Sequence, residues 1–229
     1  EHLIGATLWL ADYHLLWGED PERAATLCHE AAQWQPNAMA VRERLAAAHL
    51  LAGHTSEAVV ECQRLVNQAG IRRGGAEERA RLSLRLAVAQ HAAGQQEEAV
   101  ASYDQALELT PDWAEPYRRR VAVALAQGDT DGAAGTAQRA ATCLGPAHPE
   151  VIRMEAQVAV ANRDAPTAAA RYQRLVDLGA SEPEDLVLYA RQLLQGPHWQ
   201  QGLSILRGML CADVCYQPAA EELRRACAA

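Results

Sequence analysis

Histidines, cysteines and paired carboxylates are the side chains here that could do chemistry, and none of them falls into a catalytic spacing. His2, His14, His29, His49, His54, His91, His148 and His198 are scattered. The run His29-Glu30-Ala31-Ala32-Gln33 lacks the second histidine that a zinc-protease helix carries one turn further on. The chain has no GxSxG, no phosphate-binding P-loop and no GxGxxG. Arg72-Arg73-Gly74-Gly75 sets glycines beside cations, but it reads as a protruding linker between helical units, not as a strand-to-helix phosphate turn. Glu97 and Glu98 belong to a solvated helix face. The expectation is a protein that is not an enzyme, with no catalytic residues, no cofactor and no metal ligands.

The six cysteines divide by position. Cys28 and Cys62 read as small apolar filler of a helix face. Cys143 lies near a helix end. Cys211, Cys215 and Cys227 cluster at the C-terminus, and a disulfide from Cys227 to Cys211 or Cys215 would staple the last helix in an oxidising compartment. No CxxC and no nearby histidine pair completes four zinc ligands.

The elements that carry these residues are helices in pairs. The stretch Ala80 to Asp112 reads as two amphipathic helices joined at Gly94. The first presents Leu86, Ala87 and Gln90. The second presents Ala99, Tyr103 and Ala106 and ends at Leu109, before Thr110-Pro111. Small residues at Ala87, Ala99 and Ala106 allow close approach, Tyr103 fills the gap, and Pro111 cannot continue a helix. The pattern GxxxxAxxxYxxAxxxxP is similar to the tetratricopeptide repeat, a helix–turn–helix unit of 34 residues. Segments aligned to it are 5–38, 39–72, 80–113, 114–148, 149–182 and 183–216, with starts that step by 34, 41, 34, 35 and 34 residues. Residues 217–229 read as a polar capping helix. The long step is Arg73 to Arg79.

The resemblance implies an all-α, right-handed superhelical solenoid of about six such hairpins plus the cap, a single array over 1–229, because one hairpin cannot bury its apolar face alone. It also implies a concave groove lined by the first helix of each unit and holding a peptide or partner segment. Projected onto this sequence, the groove residues are Arg85, Arg118, Arg119, Arg153, Gln157 and Arg191, with Trp9, Tyr13 and Trp17 from the first unit. Glu43, Arg44, Ala47, Leu51, Leu84, Val88 and His91 line the groove with them. Arg85, Arg119 and Arg153 recur every 34 residues and should stack along one line. Guanidinium forks suit carboxylates, so the expected partner is an acidic segment, with an anionic polysaccharide as the other candidate. The same arginines could instead pair with Glu115, Glu150 and Glu155 as solvated surface. The lysine and asparagine slots of peptide-clamping relatives are missing.

Trp9, Tyr13 and Trp17 repeat at i, i+4 and i+8 on one helical face. They could anchor a partner. Alternatively the register slips by one and Trp9 is a buried aromatic, or the stripe packs against sequence preceding Glu1. Arg120 and Glu155 occupy matching slots of adjacent units and could pair across them.

Composition agrees with thin helical layers. Of 229 residues 49% are apolar, much of that alanine; aromatics are 5% and phenylalanine is absent. All 21 basic residues are arginine, which reads as the coding bias of a GC-rich genome. A net charge of −8 argues against nucleic-acid affinity. No run approaches the ~18 apolar residues of a membrane span. The chain opens on Glu1, not Met, and reads as trimmed or cut from something longer. The compartment stays open between cytoplasm and periplasm. Two functional classes follow: an adaptor that grips a partner segment, or the recognition region of a larger protein such as a repeat-bearing enzyme or a cell-envelope machine exporting polysaccharide or pili.

Overall fold

The computed structural model describes residues 2–17 and 20–228. Over these the chain is helical, without a strand among the described residues. The helices are α1 (His2–Leu16), α2 (Pro21–Trp34), α3 (Met39–Leu51), α4 (Thr55–Ile71), α5 (Ala76–Ala92), α6 (Gln96–Leu109), α7 (Ala114–Ala126), α8 (Thr130–Leu144), α9 (Pro149–Ala161), α10 (Ala165–Asp177), α11 (Pro183–Leu194), α12 (Trp199–Ala212) and α13 (Gln217–Ala228). They fall into two compact units, one up to Pro116 and one from Tyr117.

Helix starts and stops follow local chemistry. Asp20, Asp129 and Asp164 each cap a second helix, accepting from the amides of Arg23, Gly132 and Thr167. This satisfies one of the orphan N–H groups of the first turn. Pro21, Pro149 and Pro183 take the first helical position, where no N–H is needed. First helices end on a left-handed residue: Gly53, Gly94 and Gly128, and Arg163 at the same place in its repeat. After each, the next amide returns to a carbonyl five residues back, as Gln95 does to Gln90 and Asp164 to Ala159.

In the first unit each helix packs on the next from α1 to α6. In the second, the same holds from α8 to α13. The close approach rests on alanine. Ala24, Ala58, Ala99, Ala133 and Ala168 occupy one slot of successive second helices and are all fully buried. Four residues on, the gap filler varies: Cys28, Cys62, Tyr103, Ala137, Tyr172 and Leu206, each buried. Burial pushes the Cys28 and Cys62 thiols up to about 11. All six cysteines are free thiols, so the C-terminal staple is not formed; Cys211, Cys215 and Cys227 are exposed.

Two local expectations, the linker and the first helix, are resolved by the structure. The expected loop at residues 73–79 is mostly helix. Only Arg73 to Gly75 turn, and α5 begins at Ala76, where Glu77 and Glu78 stabilise the positive helix end. In α1 the register slips by one, so Ala11 enters the core and Asp12 stays half exposed. Trp9 does not follow it inward: it is 69% exposed, because Leu8 and Leu15 take the inner face beside Ala11.

Candidate interaction surface

Arginines of α3, α5, α9 and α11 are joined to carboxylates of neighbouring first helices. In the first unit, Arg44 of α3 grips Asp12 of α1 with Nε at 2.7 Å and Nη2 at 2.9 Å. Arg85 of α5 reaches Glu43 of α3 at 2.7 Å, with Arg81 at 3.8 Å from the same carboxylate. In the second unit, Arg153 of α9 holds Asp185 of α11 through Nε and Nη2 at 2.9–3.1 Å. Arg191 of α11 holds Glu222 of α13 through Nε at 3.0 Å to both oxygens. More than one contact fixes both distance and angle, so the Arg44, Arg153 and Arg191 pairs constrain the rotation of one hairpin against the next, whereas Arg85 makes a single contact.

The joints differ in burial. Arg153 is buried, and Glu150, Glu182 at 3.3 Å and the Ala180 carbonyl at 3.2 Å complete its donors. Burial alone would pull its pKa down, but Asp185 and Glu150 outweigh it and hold the cation. Arg44, Arg85 and Arg191 keep a third or more of their side chains in solvent.

The expected groove residues therefore separate. Arg85 is half exposed beside Glu43, Arg118 and Arg119 are exposed on α7, and Gln157 and Arg191 are half-buried. Arg153 faces Asp185, not solvent. Trp9 and Tyr13 on α1, and Trp17 just after its end, all lie in the open. Of the expected Arg120–Glu155 pair, Arg120 donates to Thr136 Oγ1 and Glu155 pairs with Arg171 at 3.2 Å.

Where α11, α12 and α13 meet, Arg191, Leu194, Gln195, Trp199, Leu203, Glu222, Arg225 and Ala226 line a cleft of about 720 Å³. Glu222 is buried at its side. Burial would raise its pKa, yet hydrogen bonds from Arg191 and Arg225 hold it below the ordinary carboxylate value. Arg225, at 2.9 Å from Glu222, and Trp199 both present open surface. The sequence signal was there in part: Arg191 and Glu222 stand 31 positions apart and Arg153 and Asp185 32, close to one repeat.

No cluster of metal-ligating side chains occurs among the described residues, and no described helix is long and apolar enough to cross a membrane.

Paired helices with a small-residue seam, left-handed turn closures and serial stacking define the tetratricopeptide-repeat fold. No family model and no curated protein matches the chain. Among solved structures it is similar to PilW, a widely conserved type IV pilus biogenesis factor, at 17% identity, covering 98% of each chain with a TM-score of 0.65. It is similar to Pseudomonas aeruginosa PilF at 17% identity, 95% of each chain and a TM-score of 0.64. A tetratricopeptide repeat protein from Parabacteroides merdae ATCC 43184 overlays at 11% identity and a TM-score of 0.67, over 99% of this chain and 93% of that one. At such identities the likeness concerns the fold.

Proposed function

We propose that this chain is a protein-interaction scaffold that takes an acidic partner segment against its first helices. The observation that carries this reading is the cleft of α11–α13. It places two partly exposed guanidinia, Arg191 and Arg225, around one buried carboxylate, next to the open ring of Trp199. Arginine and tryptophan beside an apolar wall are the usual anchors of a peptide interface. Each guanidinium has five donors, so a partner carboxylate can share Arg225 without displacing Glu222. Gln157, in the repeat position of Arg191, extends this face, and Arg118 and Arg119 add exposed cations to the same unit. Arg85 offers the like in the first unit. Arg153 is reserved for the internal joint.

The test is fluorescence anisotropy with a labelled peptide alternating glutamate and leucine. The expected result is saturable binding that weakens with salt and falls at least tenfold in Arg225→Glu and in Trp199→Ala. Equal binding by wild type and Arg225→Glu would reject the cleft as the site.

A second reading makes the chain the recognition region of a cell-envelope machine that exports pili or anionic polysaccharide. Its support is the near end-to-end overlap with PilW and PilF. The mass of the native gene product, and its co-fractionation with envelope assemblies, separate the two readings.

A further inference from the structure

Helix α1 has a bare apolar face, and the repeat geometry shows what kind of element belongs on it. Its sequence, HLIGATLWLADYHLL, contains one carboxylate and no arginine. A helix apolar all round is ordinarily buried all round. Leu8, Ala11 and Leu15 do pack inward, against Ala24, Leu27 and Cys28 of α2 and Leu45 and Ala48 of α3. The opposite side does not. Trp9, Tyr13, Leu16 and Trp17 are 69%, 47%, 75% and 78% exposed, and Leu10 is 37% exposed. Trp9 and Tyr13 stack with ring centroids 6.2 Å apart.

With Ala11 in the place of Ala46 and Ala87, Leu10 corresponds to Leu45 and Leu86, and Tyr13 to Ala48 and Ala89. Those four residues are buried, and each pair packs on the second helix of the preceding repeat. Leu45 and Ala48 meet α2, and Leu86 and Ala89 meet Ala58 and Cys62 of α4. The open face of α1 is thus a seat for a helix.

We propose that α1 of a second copy of this chain occupies that seat. The face is self-complementary: Tyr13 lies midway between Trp9 and Trp17, so a two-fold axis through Tyr13 sets Trp9 of each copy against Trp17 of the other. Isologous contact of this kind closes after two subunits. The charge pattern selects the same place. Copies carrying −8 each repel over most of their surface. On α1 the one carboxylate, Asp12, is neutralised by the bidentate Arg44. The antiparallel helix pair would bury Trp, Tyr and Leu with no unpaired ion.

The experiment is sedimentation equilibrium of the whole chain over a hundredfold concentration range, in low salt and in 1 M NaCl. The expected result is a reversible dimer, twice the 24.8 kDa chain, that strengthens in high salt. Trp9→Glu/Trp17→Glu should weaken association at least tenfold while far-UV circular dichroism is unchanged, since neither ring touches the core. Leu16→Lys should do the same and serves if the double variant misfolds. A monomer throughout overturns the proposal, as does a dimer that survives both variants. The acidic-peptide titration uses the other end of the chain, so either idea can fail alone.

Discussion

Arg153 and Asp185, 32 residues apart, meet as a buried fork: three N–H···O contacts of 2.9–3.1 Å join α9 to α11. Asp185 also accepts from the Glu182 amide and so caps its own helix. One carboxylate thus ends a turn and fixes the angle between two hairpins.

Removing one half of this joint should cost far more than removing both. Arg153→Met leaves Asp185 buried without its cation, a loss of about 3–5 kcal/mol. Asp185→Asn keeps the capping oxygen but leaves Arg153 with fewer anions. In the double variant neither charge remains, and its destabilisation should fall well below the sum of the two single losses. Urea unfolding of the four proteins measures the coupling; additive losses would show that the fork contributes nothing of its own.

Gly202 stands in the slot that alanine fills in the five preceding repeats. Here a Cβ would come within 2.8 Å of the Ala190 carbonyl and 3.1 Å of Leu194, because α11 and α12 approach more closely than an alanine allows. Gly202→Ala should therefore destabilise by about 1–3 kcal/mol through overpacking. Gly208 on the same helix is exposed with nothing within 4 Å of its Cβ position. There the change to alanine should stabilise by about 1 kcal/mol through helix propensity. Thermal melts of the two variants must move in opposite directions.

Arg163 adopts φ of 58° where the earlier repeats place glycine. A side chain in that conformation costs about 1 kcal/mol. Its closing hydrogen bond, from Asp164 to Ala159, uses backbone alone and would survive substitution. Arg163→Gly should raise the melting temperature by a few degrees. An unchanged or lower value would mean that the exposed guanidinium does more than its surroundings indicate.

Acidification should loosen the first unit through His49. Burial lowers its pKa below the usual 6.5, and the neighbouring His54 lowers it further. The neutral ring is favoured in the folded chain, and the unfolded chain binds the proton more readily. Stability from this group is therefore complete above about pH 6.5 and is lost as pH falls through the lower native value. Melting temperatures from pH 7.5 to 5 should decline, and His49→Gln should flatten part of that decline. Identical slopes in both proteins would remove His49 from the account.

The pairing of helices is legible in the sequence because it depends on residue size at fixed spacing. Alanine at 24, 58, 99, 133 and 168 has no role that a bulkier residue could share, and Tyr103 and Tyr172 mark where the seam widens. The fate of the arginines is not set by spacing. Whether Arg85, Arg119 or Arg153 meets solvent depends on a carboxylate in the neighbouring repeat and on the rotation between hairpins, and spacing encodes neither. Arg153 looked equivalent to Arg119 by period alone; Asp185, at the start of the following helix, makes the difference. Trp9 stays outside the core for a related reason. Leu8, Ala11 and Leu15 compete with Trp9 for the inner face, and small aliphatic groups fit the narrow seam where an indole does not.

The salt-bridged joints also have a direction. In the first unit the later helix supplies the arginine, as Arg44 and Arg85 do, and the earlier one the acid. In the second unit Arg153 and Arg191 come from the earlier helix and Asp185 and Glu222 from the later. A hairpin transplanted from one half into the other would present its cation to a neighbour that offers another cation. Modules of nearly equal length are for that reason not interchangeable. Growth of such a chain by copying a hairpin works within each half and is penalised between them.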